Sequence, residues 1–223
     1  MGSEMVRQVV LLKVMILCAA LLPSPVSAAE GDCRIAVLGD SLAAGYGLPL
    51  EEAFPAQLED ALRGAGYPCV VLDAGVSGDT SAGGLARVDW MLGDQPSHVI
   101  VELGGNDGLR ALSPDEMAAN IDGILQHLED AGIEALLAGM LAPPNLGRAY
   151  GEEFKAVFPR LAEEHDVPLY PFFLDGVAAE PALNQPDGIH PNAQGVKVIV
   201  ERMLPKVETW LDETGIARTQ AKG

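Results

Sequence analysis

Positively charged residues are scarce in this sequence. Its 223 residues include 14 Lys and Arg against 32 Asp and Glu, which gives a formal net charge of −18. A chain with this balance repels polyanions through its summed field, so nucleic acid is not expected as a partner. Internal repeats and low-complexity tracts are absent from the sequence as well. With 48% hydrophobic and 21% charged residues, the composition is typical of one globular domain with a substantial core.

No apolar run in the sequence reaches the roughly 20 residues that a membrane-spanning helix needs. An uncharged apolar stretch at residues 14–22 follows Arg7 and Lys13 and precedes small residues at 26–28. This pattern predicts a secretory signal peptide over residues 1–28. We therefore expect a periplasmic or secreted protein without stable membrane insertion after cleavage. The alternative is that the leader stays uncleaved as an N-terminal anchor.

Cysteine is rare too, and only Cys33 and Cys69 follow the predicted leader. Each lies at the start of a predicted strand. If these strands are parallel neighbours, the two Cα atoms could come within the about 4.4–6.8 Å that a disulfide requires. Because disulfides persist in the compartments that exported proteins enter, we predict a Cys33–Cys69 disulfide. Two buried free thiols are the alternative.

Hydrophobic periodicity and turn residues predict strands that alternate with helices. Such alternation favours an α/β fold, in which a five-stranded parallel sheet carries helices on both faces, because parallel strands need crossover connections. The final residues, 214–223, are predicted to be a frayed tail. The predicted strands are residues 34–38, 69–73, 98–103, 133–141 or part of it, and 167–173. The predicted helices are residues 51–66, 83–92, 114–131 and 152–165, with a last helix that begins near Asn192.

Polar and glycine-rich motifs follow four of the five predicted strands. In a parallel α/β sheet, the working site lies beyond the carboxyl ends of the strands, so these motifs should meet at one edge. Their clustering is more specific than any one motif alone. The motifs are Gly-Asp-Ser-Leu at 39–42, a glycine-containing loop at 75–80, Gly-Gly-Asn-Asp at 104–107 and, after a longer loop, Asp-Gly-Ile-His-Pro at 187–191.

Three of these residues have the chemistry of acyl transfer. The hydroxyl of Ser41 is a weak nucleophile until a base takes its proton, and His190 is the candidate base, since an imidazole ordinarily changes protonation near neutral pH. Asp187 precedes His190 by three residues, so one tight turn could present both side chains and let the carboxylate orient the imidazole. We therefore predict Ser41 as nucleophile, His190 as base and Asp187 as the orienting acid. Helix capping by Ser41 and simple turn formation at Asp187 are the alternatives.

An oxyanion needs hydrogen-bond donors aimed at the place where its charge develops. The backbone N–H groups of Ser41 and Gly78 and the side-chain amide of Asn106 could supply them. A glycine at position 78 lets the main chain approach a substrate closely. Gly78 and Asn106 could instead be turn formers only. Asp40 is expected to order the nucleophile loop rather than to react.

The four motifs together resemble the conserved blocks of the SGNH (GDSL) hydrolase superfamily. Ser41, Gly78, Asn106 and His190 match its four signature positions, with Asp187 as the third triad member. Stretches at 77–88 and 101–110 are similar to the periplasmic multifunctional thioesterase, protease and lysophospholipase (arylesterase) subgroup. The resemblance covers a hydrolase domain at residues 29–213. It implies a flavodoxin-like three-layer α/β/α fold with sheet order 2-1-3-4-5 and a metal-free serine esterase.

The resemblance also implies the substrates, which are carboxylic esters and thioesters with short-to-medium acyl or aryl groups, and lysophospholipids. Apolar loop residues should form a groove beside the reacting centre. We expect no cofactor, because metal-ligand spacing and a dinucleotide-binding glycine motif are both lacking, and we expect a monomer. The predicted groove residues are Leu109, Leu112, Leu141, Pro143, Pro144, Leu146 and Tyr150.

Two other functions remain open from the sequence. A carbohydrate O-acetyl esterase on the same scaffold would prefer acetyl groups and would need a polar or aromatic sugar platform, against which the apolar loops argue. A non-catalytic lipid- or glycan-binding module would usually have lost Ser41 or His190, and both are present.

Overall fold

The computed structural model describes residues 33–219. The predicted signal peptide at residues 1–28 lies outside this range, as do residues 220–223. Among the described residues, no helix combines the length and apolar character needed to cross a membrane.

One parallel five-stranded sheet organises the domain. Its strands are β1 (Arg34–Gly39), β2 (Val70–Gly75), β3 (His98–Glu102), β4 (Glu134–Ala138) and β5 (Leu169–Tyr170). Their order across the sheet is β2-β1-β3-β4-β5, so the predicted fold class and strand order are confirmed. Gly39, at the end of β1, pairs with Gly75 of β2 and Glu102 of β3, so these three strands end at the same level.

The helices of the described residues are α1 (Phe54–Gly64), α2 (Ser81–Ala86), α3 (Val88–Leu92), α4 (Gly105–Leu109), α5 (Pro114–Asp130), α6 (Arg148–Glu164) and α7 (Ala193–Glu213). They form two packed groups, with α1 against α7 and α5 against α2 and α6. Every residue of β3 is buried, as expected for a central strand with helices on both faces. Short 3₁₀ turns occupy Leu50–Glu52 and Pro144–Leu146.

The strand predicted at 167–173 and the helix predicted at 83–92 differ most in the structure, while the helices predicted at 51–66 and 152–165 span Phe54–Gly64 and Arg148–Glu164. The strand predicted at 167–173 is reduced to Leu169–Tyr170, because Pro168 and Pro171 have no N–H group to donate to a ladder. The helix predicted at 83–92 is divided into α2 and α3 at Arg87, whose φ of −123° departs from helical geometry.

Residues 214–219, the described part of the predicted frayed tail, make hydrogen bonds to the body of the domain. Thr219 donates its backbone N–H to the carbonyl of Gly66 at 2.8 Å. The guanidinium of Arg218 donates to the hydroxyl of Tyr67 at 2.9 Å. Residues 214–219 therefore pack on the loop that joins α1 to β2.

The amino ends of β1 and β2 carry the two cysteines. The pairing of Arg34 with Val70 brings the preceding residues, Cys33 and Cys69, side by side. Their Cα atoms lie 4.6 Å apart, and their sulfur atoms form a disulfide. This bond is at the edge of the sheet opposite to the polar motifs.

Candidate active site

A tight turn after β1 presents Ser41. The side chain of Asp40 accepts the N–H of Leu42 at 2.9 Å, a local bond typical of turns that begin with aspartate. Glycine is required just before this turn, since a Cβ at Gly39 would lie 2.6 Å from both Ala43 Cβ and Glu102 Oε2. The turn therefore projects the Ser41 hydroxyl beyond the carboxyl end of the sheet.

A second turn presents Asp187 and His190. One carboxylate oxygen of Asp187 accepts the N–H groups of Ile189 at 2.9 Å and His190 at 3.0 Å. The other accepts His190 Nδ1 at 2.7 Å. The backbone and side-chain hydrogen bonds from His190, followed by that from Ile189, lower the pKa of Asp187 to about 2. Asp187 is therefore a carboxylate at any ordinary pH.

The two turns meet in a hydrogen-bonded chain of three side chains. Ser41 Oγ lies 2.9 Å from His190 Nε2, although the residues are 149 positions apart. Because Nδ1 faces a carboxylate, its proton is held there and Nε2 is left to accept from the serine. The ring of Tyr46 covers one face of the imidazole, with ring centroids 4.6 Å apart. The structure thus brings together Ser41, His190 and Asp187.

Gln185 ties the two turns to each other. Its side-chain amide donates to the carbonyl of Tyr46 at 2.6 Å and to that of Pro191 at 3.0 Å. Its backbone N–H donates to the carbonyl of His190 at 2.7 Å. These bonds anchor the loop between β5 and α7 on the segment that follows Ser41, which explains how distant residues keep a fixed geometry.

The predicted oxyanion donors line the same cavity as Ser41 and His190. Gly78 has a φ of +88°, a conformation that favours glycine. Within residues 33–219, the backbone N–H groups of Ser41 and Gly78 donate to no other protein atom. Asn106 donates one amide hydrogen to Asp40 at 2.9 Å, and the amide group has a second hydrogen to offer.

Two buried carboxyl groups lie beneath this site. Asp40 is 1% exposed, and burial raises its pKa to about 6 despite the hydrogen bonds from Leu42 and Asn106. Glu102 is fully buried, and burial followed by the neighbouring Asp40 raises its pKa well above the usual range. Glu102 Oε2 accepts the N–H of Asp40 at 3.3 Å. The buried surroundings therefore favour the neutral form of Glu102 beneath Asp40, and the carboxylate of Asp40 accepts from Asn106.

A cavity of about 740 Å³ opens over Ser41 and is lined mainly by apolar side chains. Of the predicted groove residues, Leu109, Leu141, Pro143 and Pro144 line it. Most of the opposite wall, which was not predicted, comes from the segment after β5 and from the turn at His190. The unpredicted apolar lining residues are Leu42, Tyr46, Met140, Ala142, Phe172, Leu174, Ala178, Ala179 and Ile189.

Leu112, Leu146 and Tyr150 do not line the cavity. Tyr150 lies in the first turn of α6, where its ring packs on Phe154 with centroids 5.9 Å apart. Its hydroxyl donates to the carbonyl of Leu112 at 2.7 Å. These contacts place Tyr150 behind the groove wall. Among the described residues, no group of three or more side chains could hold a metal ion.

A parallel sheet in this order, with Ser, Gly, Asn and His at its carboxyl edge, defines an SGNH-type serine hydrolase. The sequence profile of the GDSL-like Lipase/Acylhydrolase family matches residues 37–198. The chain belongs to this family.

Several relatives of the chain have the names of hydrolases. The chain is 44% identical over 173 residues to the thioesterase 1/protease 1/lysophospholipase L1 of Escherichia coli (strain K12), covering 77% of this chain and 82% of the relative. It is 38% identical over 176 residues to an arylesterase of Vibrio mimicus, covering 78% and 88%. The crystal structure of AlinE4, an SGNH-hydrolase family esterase, superimposes with a TM-score of 0.68 at 49% identity, covering 81% of this chain and 97% of that chain.

Proposed function

We propose that the protein is a serine esterase that hydrolyses carboxylic esters and thioesters through an acyl-enzyme on Ser41. The observation that carries the proposal is the chain of hydrogen bonds from Ser41 through His190 to Asp187, at 2.9 Å and 2.7 Å, beside an apolar cavity. A serine, an imidazole and a carboxylate in this sequence are the parts that nucleophilic acyl transfer requires.

In the first half of the reaction, Ser41 Oγ attacks the carbonyl carbon of the ester and its proton passes to His190 Nε2. The imidazolium that forms is stabilised by Asp187, which stays ionised because of its low pKa of about 2. The tetrahedral intermediate then collapses, and His190 gives the proton to the leaving alcohol or thiol. The acyl group remains on Ser41.

In the second half, a water molecule takes the place of the leaving group. His190 accepts its proton, the hydroxyl attacks the acyl-enzyme, and the carboxylic acid departs as Ser41 regains its hydrogen. The same imidazole therefore acts as base and acid in turn.

The negative charge on the carbonyl oxygen is stabilised in both halves by the N–H groups of Ser41 and Gly78 and by the amide of Asn106. The two backbone groups are free to donate, and the Asn106 side chain is oriented by Asp40 at 2.9 Å. Donors that are held in place before the reaction need no reorganisation when the charge appears, which is why they lower the barrier.

The apolar cavity favours acyl or aryl esters over sugar esters. Its lining is dominated by Leu, Pro, Ala and Phe side chains from two sides of Ser41. Each buried methylene contributes only about 0.8 kcal/mol, so preference for chain length should be gradual. The relatives' names support the same range of substrates, namely thioesters, aryl esters and lysophospholipids.

A chain-length series of p-nitrophenyl esters tests the proposal. The wild type should hydrolyse acetate to decanoate with a gradual optimum, and Ser41→Ala should lose the activity while it keeps its melting temperature. Ser113→Ala is a matched control, because Ser113 caps α5 outside the cavity. Equal activity of wild type and Ser41→Ala would refute the proposal. Activity confined to acetyl esters would favour the O-acetyl esterase, and an inactive wild type would favour a binding module.

We infer in addition that the protein is exported. The leader pattern at residues 1–28 and the Cys33–Cys69 disulfide support this, since such bonds persist in oxidising compartments. Intact-mass analysis of protein from a periplasmic fraction should find a chain that begins near residue 29. A full-length chain confined to the cytoplasm would contradict it.

A further inference from the structure

The guanidinium of Arg87 donates three hydrogen bonds that link the turn carrying Ser41 to the loop carrying Gly78, residues 75–80. Its Nε donates to Asp79 at 2.6 Å, its Nη1 to the carbonyl of Ala74 at 2.7 Å, and its Nη2 to the carbonyl of Gly39 at 2.9 Å. The side chains of Arg87 and Asp79 are only 16% and 19% exposed. The guanidinium is therefore fixed from three directions at the carboxyl end of the sheet.

Two of the three acceptors are next to a part of the proposed catalytic centre. Gly39 directly precedes the Asp40–Ser41 turn, and Asp79 directly follows the oxyanion donor Gly78. The Gly39 carbonyl also accepts the N–H of Val76 at 3.1 Å, so it contacts the Gly78 loop by two routes. Arg87 thus connects the segment that carries the proposed nucleophile, Ser41, with the segment that carries the proposed oxyanion donor, Gly78.

Apart from these bonds and the one from Val76 to Gly39, the loop at residues 75–80 has few hydrogen bonds to the turn that carries Ser41. Inside the loop, the N–H of Asp79 donates to the carbonyl of Val76 at 3.0 Å, which closes a turn but does not orient it toward Ser41. A planar guanidinium offers donors in several fixed directions, whereas an ammonium group is a point charge on a flexible stem. Lysine could therefore replace the charge of Arg87 but not its three simultaneous bonds.

We propose that Arg87 is a positioning residue that holds the Gly78 loop in register with the Ser41 turn, so that the oxyanion donors face the nucleophile. The proposal rests on the proposed esterase function. Arg87 does not line the cavity, so it acts through the two loops and not on the substrate. Its removal should leave substrate binding intact and slow the chemical step.

Steady-state kinetics of Arg87→Gln, Arg87→Lys and Asp79→Ala with a p-nitrophenyl ester test this role. Each rate is divided by the number of reactive sites, counted from the burst of p-nitrophenol released by a p-nitrophenyl phosphonate. Arg34→Gln is the matched control, because Arg34 also donates to a backbone carbonyl, that of Asp94 at 2.9 Å, but at the opposite end of β1. Melting curves report on folding.

Arg87→Gln should lower kcat by roughly 10- to 100-fold, because a displacement of about 1 Å at a reacting centre has an effect of this size, while KM stays within about twofold. Arg87→Lys should not restore kcat, and Asp79→Ala should lower it by about 10-fold. A residue with only a structural role would shift the melting temperature and leave kcat per site unchanged, as we expect for Arg34→Gln.

The proposal is overturned if folded Arg87→Gln has the kcat of the wild type, or if Arg87→Lys restores it fully. If Arg87→Gln does not fold, Asp79→Ala decides, and a wild-type kcat for that variant overturns the proposal. Failure of the esterase function itself is recognised separately, since Ser41→Ala would then hydrolyse the ester as fast as the wild type.

Discussion

Replacement of Asp40 by asparagine should lower activity while leaving stability nearly unchanged. The carboxylate of Asp40 accepts from the Leu42 N–H and from the Asn106 amide, each at 2.9 Å. The two donors bond different oxygens of the carboxylate, and an asparagine has an NH₂ group in place of one of these oxygens, so in the same geometry it can accept only one of the donors. If it keeps the turn bond to Leu42, its NH₂ faces Asn106. Asn106 must then rotate its amide and present an oxygen where the oxyanion forms.

The magnitudes for this variant come from two opposing effects on stability and one effect on catalysis. Loss of one oxyanion donor lowers kcat by about 10²–10³. Asp40 is 1% exposed, and burial raises its pKa from 3.8 to about 6. Such a carboxyl group stabilises the fold fully only below its unfolded pKa, and this contribution is lost as the pH rises through about 6. At pH 8 a neutral amide therefore gains about 3 kcal/mol over the ionised acid.

Loss of the hydrogen bond from Asn106 to the charged carboxylate costs about 1.5–3 kcal/mol, which offsets most of that gain. We therefore expect a melting temperature close to that of the wild type at pH 8. At pH 4 the carboxyl group of the wild type is protonated, so the variant should be the less stable protein there.

The assay is kcat on a p-nitrophenyl ester at pH 8, together with urea unfolding at pH 4 and pH 8. Asp60→Asn is the matched control, since Asp60 is an exposed residue of α1. A wild-type kcat for Asp40→Asn would refute the role of Asp40 in orienting Asn106. A loss of activity that only follows a loss of folded protein would refute the separation of the two effects.

Three further predictions follow from the same geometry. Asn106→Ala should lower kcat by about 10²–10³ with little change in KM. In the double variant, the loss of kcat should not exceed that of Asn106→Ala alone; additive losses from Asp40→Asn and Asn106→Ala would show that the two residues act independently. The value of kcat/KM should rise as the pH passes through about 6, where Asp40 loses its proton and its carboxylate orients Asn106, while Asp187, with a pKa of about 2, stays ionised throughout; a flat profile from pH 5 to pH 8 would contradict the role of Asp40. Reduction of the Cys33–Cys69 disulfide, which closes a loop of sequence separation 36, should lower the free energy of unfolding by about 3–4 kcal/mol and leave kcat of the folded protein unchanged. Urea unfolding with and without a reductant measures this change, and an unchanged unfolding midpoint would contradict the prediction.

The architecture was predictable from the sequence because alternation of strands and helices permits few topologies. Once the sheet is parallel, its carboxyl ends share an edge, and motifs that are far apart in the chain must meet there. The three-residue spacing of Asp187 and His190 was enough to predict that their side chains meet, because a single turn that begins with aspartate presents both of them.

The cavity wall was less predictable, because apolar loop residues resemble core residues in a sequence. Phe172 and Leu174 come from a stretch that was assigned to a strand and the loop after it, and the two prolines that shorten β5 free this stretch to line the cavity. Tyr150 was expected at the groove, but the start of α6 at Arg148 turns it toward Phe154.

The polar contacts beneath the site could not be predicted from the sequence either. Arg87 lies inside a predicted helix, where an arginine is ordinarily an exposed residue, and its role depends on three acceptors from separate segments. Glu102 lies in a strand that is buried on both faces, and the pairing of β1 with β3 in the sheet brings the Glu102 side chain under Asp40.

Covalent trapping of the nucleophile tests the central claim most directly. The protein is incubated with a p-nitrophenyl phosphonate, and the adduct is located by intact-mass analysis and peptide mapping. We predict a single phosphonyl group on Ser41, its absence in Ser41→Ala, and labelling of His190→Ala that is slower by orders of magnitude. Stoichiometric labelling at another residue, or ester hydrolysis that survives the loss of the Ser41 hydroxyl, would contradict the account.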